Sequence, residues 1–238
     1  MQLTPISYNS LQDKNSLAPN FRHGGESFWK SEYSKKEKAI VAGTTALGVF
    51  SSLALLAKTQ GRSIKPKPFF NYLKTTPIKF KEVISMGLGT CIGGLVGGYI
   101  IDKNPQNRKA KQREAIMQIG NISIPIGTVA FADLLCNKSN VSKKSIKGKS
   151  IRTASSIGAI AVGIYLANFA MNKLSNQIFK NGTEGRGVKG TDLFPHIDDV
   201  LASGEYIVPN NKYIRLTSRI VPFALMVAGN EVGNKKAN

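Results

Sequence analysis

Four stretches of this chain carry no charge, and each has close to the length that a bilayer demands. They are 39–57 (AIVAGTTALGVFSSLALLA), 83–101 (VISMGLGTCIGGLVGGYII), 115–132 (AIMQIGNISIPIGTVAFA) and 153–172 (TASSIGAIAVGIYLANFAMN). The hydrocarbon core of a bilayer takes about 20 helical residues, with roughly 17 to 25 tolerated. The surroundings make these gaps hard to obtain by accident. The 238 residues hold 33 Lys+Arg against 14 Asp+Glu, a formal charge of +19, and Lys or Arg brackets each stretch. A water-soluble core helix keeps a polar face, so charge recurs every few residues along it. Here the interior polar residues are Ser, Thr, Asn and Gln, which hydrogen-bond without carrying charge. The competing reading is a soluble helical protein with four buried core helices.

The pattern predicts an all-α, multi-pass transmembrane helical bundle of about four spans, at 39–57, 83–101, 115–136 and 153–172. It divides the chain into a polar, disordered tail (1–34), the bundle (35–179) and a C-terminal region (180–238). Residues 1–34 are turn-rich and lack an apolar h-region. No cleaved signal peptide is therefore expected, and 39–57 would serve as an uncleaved anchor in a cytoplasmic or inner membrane.

The connections are basic. FWKSEYSKKEK places Trp29 beside Lys35 and Lys36 just before the first span, and aromatic rings with Lys suit the headgroup zone. The loop 58–82 interleaves Lys65, Lys67 and other cations with Pro and Phe. Rings in the interface and ammonium groups on anionic headgroups are the expected arrangement. The same mixture also describes a single-strand nucleic-acid platform, but the neighbouring spans favour lipid as the partner. Asn104 and Pro105 form a helix-start signal, so the second and third spans should make an antiparallel hairpin. Every loop is basic, so the Lys/Arg bias gives only a slight preference for an inside N-terminus.

The second span carries Gly89, Gly93 and Gly97 four apart, with Gly94 and Gly98 repeating the spacing. On a helix this leaves a face without side chains, against which another backbone can approach closely. Gly158 and Gly163 give the fourth span a softer version. Packing of the second span on the fourth is the expectation, with homo-oligomerisation as the alternative. No Gly-Lys-Ser/Thr follows, so a phosphate-binding loop is not expected.

Polar groups at depth are Gln118 and Asn121 ahead of Pro125, Asp133 near the end of the third span, and Asn168 and Asn172 on one face of the fourth. Pro125 would kink its helix and free carbonyls. A transport site beside the broken helix is one reading; interhelical hydrogen bonding is the plainer one.

Cys91 and Cys136 are too few for a disulfide scaffold or a cysteine-built zinc site, and they read as packing residues. Asp192, His196, Asp198 and Asp199 suggest a metal site, but a short helix with Pro195 in its first turn and Gly204 at its end accounts for the same residues. EYIV and KYIRL around Pro209-Asn210-Asn211 suggest a hairpin. Residues 220–230 are apolar yet too short to span alone, hence interfacial, re-entrant or a tilted fifth span.

No catalytic group, metal or cofactor is expected. There is no Ser/Cys–His–acid spacing, and His23 and His196 are the only histidines. The leading expectation is a structural, scaffold or assembly protein of the membrane that holds anionic lipid. A channel or transporter subunit, and a soluble basic nucleic-acid-binding protein, are the alternatives.

Overall fold

The computed structural model describes residues 33–65, 67, 80–179, 186–196 and 220–237. These form five α-helices and one 3-10 helix, with no strand among the described residues. We number the α-helices α1 (Lys35–Thr59), α2 (Phe80–Ile101), α3 (Pro105–Lys138), α4 (Ile146–Phe179) and α5 (Val221–Asn234); the 3-10 helix is Gly190–His196. The tail 1–32, the aromatic part of the loop 58–82, the hairpin expected at 205–216 and the residues Trp29, Asp198, Asp199 and Gly204 lie outside the described residues.

Local sequence sets the helix ends. At the start of α1, Ser34 accepts from the Glu37 N–H while the Glu37 carboxylate accepts from the Ser34 N–H, a reciprocal capping box. Gly61, at φ +70°, ends α1, with Arg62 N–H donating to the Ala57 carbonyl and Gly61 N–H to that of Lys58. Asn140, at φ 52°, repeats the device after α3. Asn104 caps α3 through the Gln106 N–H at 2.9 Å, with Pro105 at the first position, as its sequence predicts.

α1 to α4 are long and apolar enough to cross a membrane. At 1.5 Å per residue the 34-residue α3 and α4 reach about 51 Å, so each outruns a hydrocarbon core of about 30 Å. Successive helices among these four run antiparallel. Tyr33 meets Asp102, Arg113 meets Ser175, and at the opposite end Arg152 meets Asp133. The start of α1, the α2–α3 turn and the end of α4 therefore share one side.

The outward faces are apolar. Leu88, Ile92, Val96 and Ile100 form an exposed stripe on α2, and Val162, Tyr165, Leu166 and Phe169 one on α4. In water such a continuous belt is costly, whereas lipid tails accept it. The inward stripe of α1 is Val41, Thr45, Val49, Leu53 and Ala57, spaced by four.

The glycine face of α2 is filled, though not by α4. A Cβ on Gly48 of α1 would overlap the Gly89 carbonyl; one on Gly93 would meet Thr44 and one on Gly97 would meet Val41 and Thr44. One residue round the helix, Gly94 faces Gly229 of α5 and Gly98 faces Gly233. The stripe expected against the fourth span is thus two adjacent seams, one to α1 and one to α5. Gly163 of α4 packs instead on Pro125 and Thr128 of α3, while Gly158 is exposed with nothing near it.

α5 resolves the short apolar segment. Its 14 residues reach only about 21 Å, less than a bilayer core. It runs parallel to α2 and lies against α1, α2 and α3, with Val221, Leu225 and Val232 essentially without exposure. Thr90 Oγ1 donates to the Leu225 carbonyl at 3.0 Å across that contact. Val49, Leu53, Met86, Ile122 and Ile126 complete the core around it.

Candidate functional site

A cluster of ionised side chains lies among α3, α4, α5 and the segment 186–196. Its centre is Arg186. Nε lies 3.0 Å from Glu114 Oε1, Nη1 and Nη2 grip both oxygens of Asp192, and Nη2 lies 3.6 Å from Glu231 Oε2. Lys189 Nζ stands 3.5 Å from both Glu114 and Glu231. Glu114 and Asp192 are each only 2% exposed, so water does little to weaken these pairs. Gln118 bridges two of the acids, donating to Glu114 at 3.0 Å and to Glu231 at 2.8 Å.

The amides of the spans hold the backbone of the entering segment. Asn168 and Asn172 both donate to the Arg186 carbonyl, at 2.8 and 2.9 Å, and Asn172 Oδ1 accepts from the Arg186 N–H. Deeper, Asn121 donates to the Asp192 carbonyl at 3.0 Å. The segment descends from the level of Glu114 to that of Asn121, seven residues of α3, or about 10 Å. At its foot His196 Nε2 lies 2.7 Å from the Asn121 carbonyl. Pro125 has no N–H to offer residue 121, four positions earlier. A carbonyl only accepts, so Nε2 carries the proton of this bond.

Of the polar residues marked in the sequence, Gln118, Asn121, Asn168 and Asn172 gather around 186–196, whereas Asp133 does not. Asp133 pairs with the buried Arg152 at 2.7 Å at the opposite end of the bundle, where Arg152 also binds Asn137 Oδ1 and the Val141 carbonyl. That arrangement locks the α3–α4 turn. Asp192 and His196 do not make a metal centre: one is spent on Arg186, the other on a carbonyl. Among the described residues no three His, Cys, Asp or Glu side chains group to hold a metal ion. Gly190–His196 is a 3-10 helix; the short helix expected from Pro195 to Gly204 falls almost wholly on 197–204, outside the described residues. Cys91 and Cys136 are buried free thiols.

Sequence reading missed Glu114, Arg186, Lys189 and Glu231. A signal did exist. Glu231 is the lone charge among the apolar residues of α5, and Glu114 is the last charge before the uncharged run of α3. An isolated acid beside an apolar helix asks for a partner.

A second polar group ties the near side together. Lys111, with no exposure, donates to the Tyr33 hydroxyl at 2.9 Å and to the Lys235 carbonyl at 2.7 Å. Tyr33 in turn donates to Asp102. Partial burial tends to raise the Asp102 carboxyl, but bonds from Tyr33, the Asn104 N–H and Asn107, with the Lys111 charge, outweigh it. They hold it below the usual aspartate range.

Lys35, Lys36, Lys65 and Lys67 are all exposed at the helix ends and in the first loop. Comparison of the chain with protein-family models, with curated proteins and with solved structures finds no match.

Proposed function

We propose that this chain is an integral membrane protein with a structural or assembly duty. Its bundle packs through glycine faces and holds anionic lipid through its basic ends. The observation that carries this reading is the use made of the intramembrane amides. Asn121, Asn168 and Asn172 spend their hydrogen bonds on the backbone of 186–196, as packing groups do, rather than lining a path. The exposed Lys35, Lys36, Lys65 and Lys67 supply cations where headgroups would lie. α1 is packed on α2 through Gly48 and Gly89, which suits an anchor retained in the bundle.

Flotation of the reconstituted protein, or native mass spectrometry, tests the lipid half. Phosphatidylglycerol should be retained over phosphatidylcholine, and substituting Lys35, Lys36, Lys65 and Lys67 by Gln should abolish that preference. Release of the chain from membranes by alkaline carbonate would defeat the whole reading. Channel or transporter function is the second reading, favoured by the placement of Glu114, Gln118 and Glu231 beside Arg186 at membrane depth. Under it, Asn121→Leu or Asn168→Leu should abolish solute flux in proteoliposomes while the protein still inserts.

A further inference from the structure

Three acceptor oxygens on one face of α5 are buried without a donor among the described residues: Asn230 Oδ1, Glu231 Oε1 and Asn234 Oδ1. Glu231 and Asn234 are each 6% exposed. The identity of the two amide oxygens follows from their neighbours. Asn230 Nδ2 donates to the Met226 carbonyl at 2.8 Å and Asn234 Nδ2 to the Asn230 carbonyl at 2.9 Å. Turning either amide over would set oxygen against oxygen, so each Oδ1 must look away from those carbonyls. At 3.6 residues per turn, positions 230, 234 and 231 fall in that order within an arc of about 100°.

Buried acceptors without donors are rare and ask for an explanation. Glu231 Oε2 receives the Gln118 bond and faces both cations, whereas Oε1 receives nothing. A hard cation satisfies a carboxylate and several amide oxygens at once.

We propose that the 230–234 face of α5, with Glu231 Oε1 as its charged ligand and the Asn230 and Asn234 amide oxygens on the adjoining arc of the helix, binds an alkali-metal cation of the sodium class. The ion fastens the end of α5 beside Gln118 of α3. One carboxylate with neutral amides suits a monovalent ion better than a divalent one, which gathers more charge.

The test is thermal unfolding of the purified full chain in detergent at pH 8, with sodium chloride exchanged for choline chloride at constant ionic strength. Sodium should raise Tm saturably, by roughly 3 to 6 °C at tenfold over its Kd for a chain of this size. Glu231→Gln keeps an acceptor for Gln118 and should lose the sodium response; Asn234→Leu should move the half-maximal concentration upward by at least tenfold. An equal Tm in sodium and choline would overturn the proposal in favour of buried water. So would a sodium response unchanged in both variants, or stabilisation by acid that sodium does not reproduce.

Discussion

His196 Nε2 lies 2.7 Å from the backbone oxygen of Asn121, the carbonyl that Pro125 leaves without its helical donor. A residue 75 positions away thus repairs a break that the helix makes in itself. His196→Ala should cost about 1–3 kcal/mol, the penalty for a buried acceptor left unpaired. In a Pro125→Ala background the helix can supply its own N–H, and the same substitution should cost about 1 kcal/mol less. A double-mutant cycle on denaturant unfolding in detergent measures the coupling; additivity would show that the imidazole merely fills space.

Arg186 ties three acids from three parts of the chain. Arg186→Gln leaves Glu114, Asp192 and Glu231 facing Lys189 alone, and breaking a buried pair from one side costs about 3–5 kcal/mol. Trypsin should then cut after Lys189 in the folded protein, and the rate of that cut relative to wild type reads the loss of docking.

Gly48 and Gly158 separate seam from surface. Gly48→Val would drive side-chain atoms into the Gly89 backbone and should abolish the monodisperse peak in size-exclusion chromatography. Gly158→Val meets open space and should leave unfolding unchanged within about 0.5 kcal/mol. If Gly158→Val instead shifts a larger species to a smaller one, the exposed face of α4 joins copies of this chain.

Asp102 should give stability an acid limb. Its folded carboxyl is held below the ordinary aspartate value, about 3.9 in an unfolded chain. The stabilisation is therefore complete above that value and drains away as pH falls through the lowered one. Asp102→Asn, compared with wild type in unfolding midpoints from pH 2 to pH 6, should remove most of this slope. Tyr33→Phe, which takes away one of the bonds responsible, should reduce it partially.

The helices were legible because hydrocarbon imposes a length and a ban on charge, and both can be counted along a chain. The Asn104-Pro105 start and the carbonyl freed by Pro125 were legible for a similar reason, since each is a local rule. The cluster was not. Glu114 and Arg186 stand 72 residues apart, and an ion pair leaves no mark on the sequence between its members. The glycine seams of α2 showed that a neighbour comes close without saying which: α4 carries small residues too, yet spends Gly163 on Pro125. Length alone hid α5, since a helix that is surrounded by others need not reach from one headgroup layer to the other.

The place of α5 bears on biogenesis. It comes after the four long helices in chain order but fills the groove that α1, α2 and α3 create. Those three must therefore enter the bilayer with a slot standing open, and stay so through the 82 residues that separate Lys138 from Val221. We expect a chaperone, a lipid or the insertion machinery itself to tenant that slot in the meantime. Ribosome-stalled chains ending before 220 should cross-link there to whatever does.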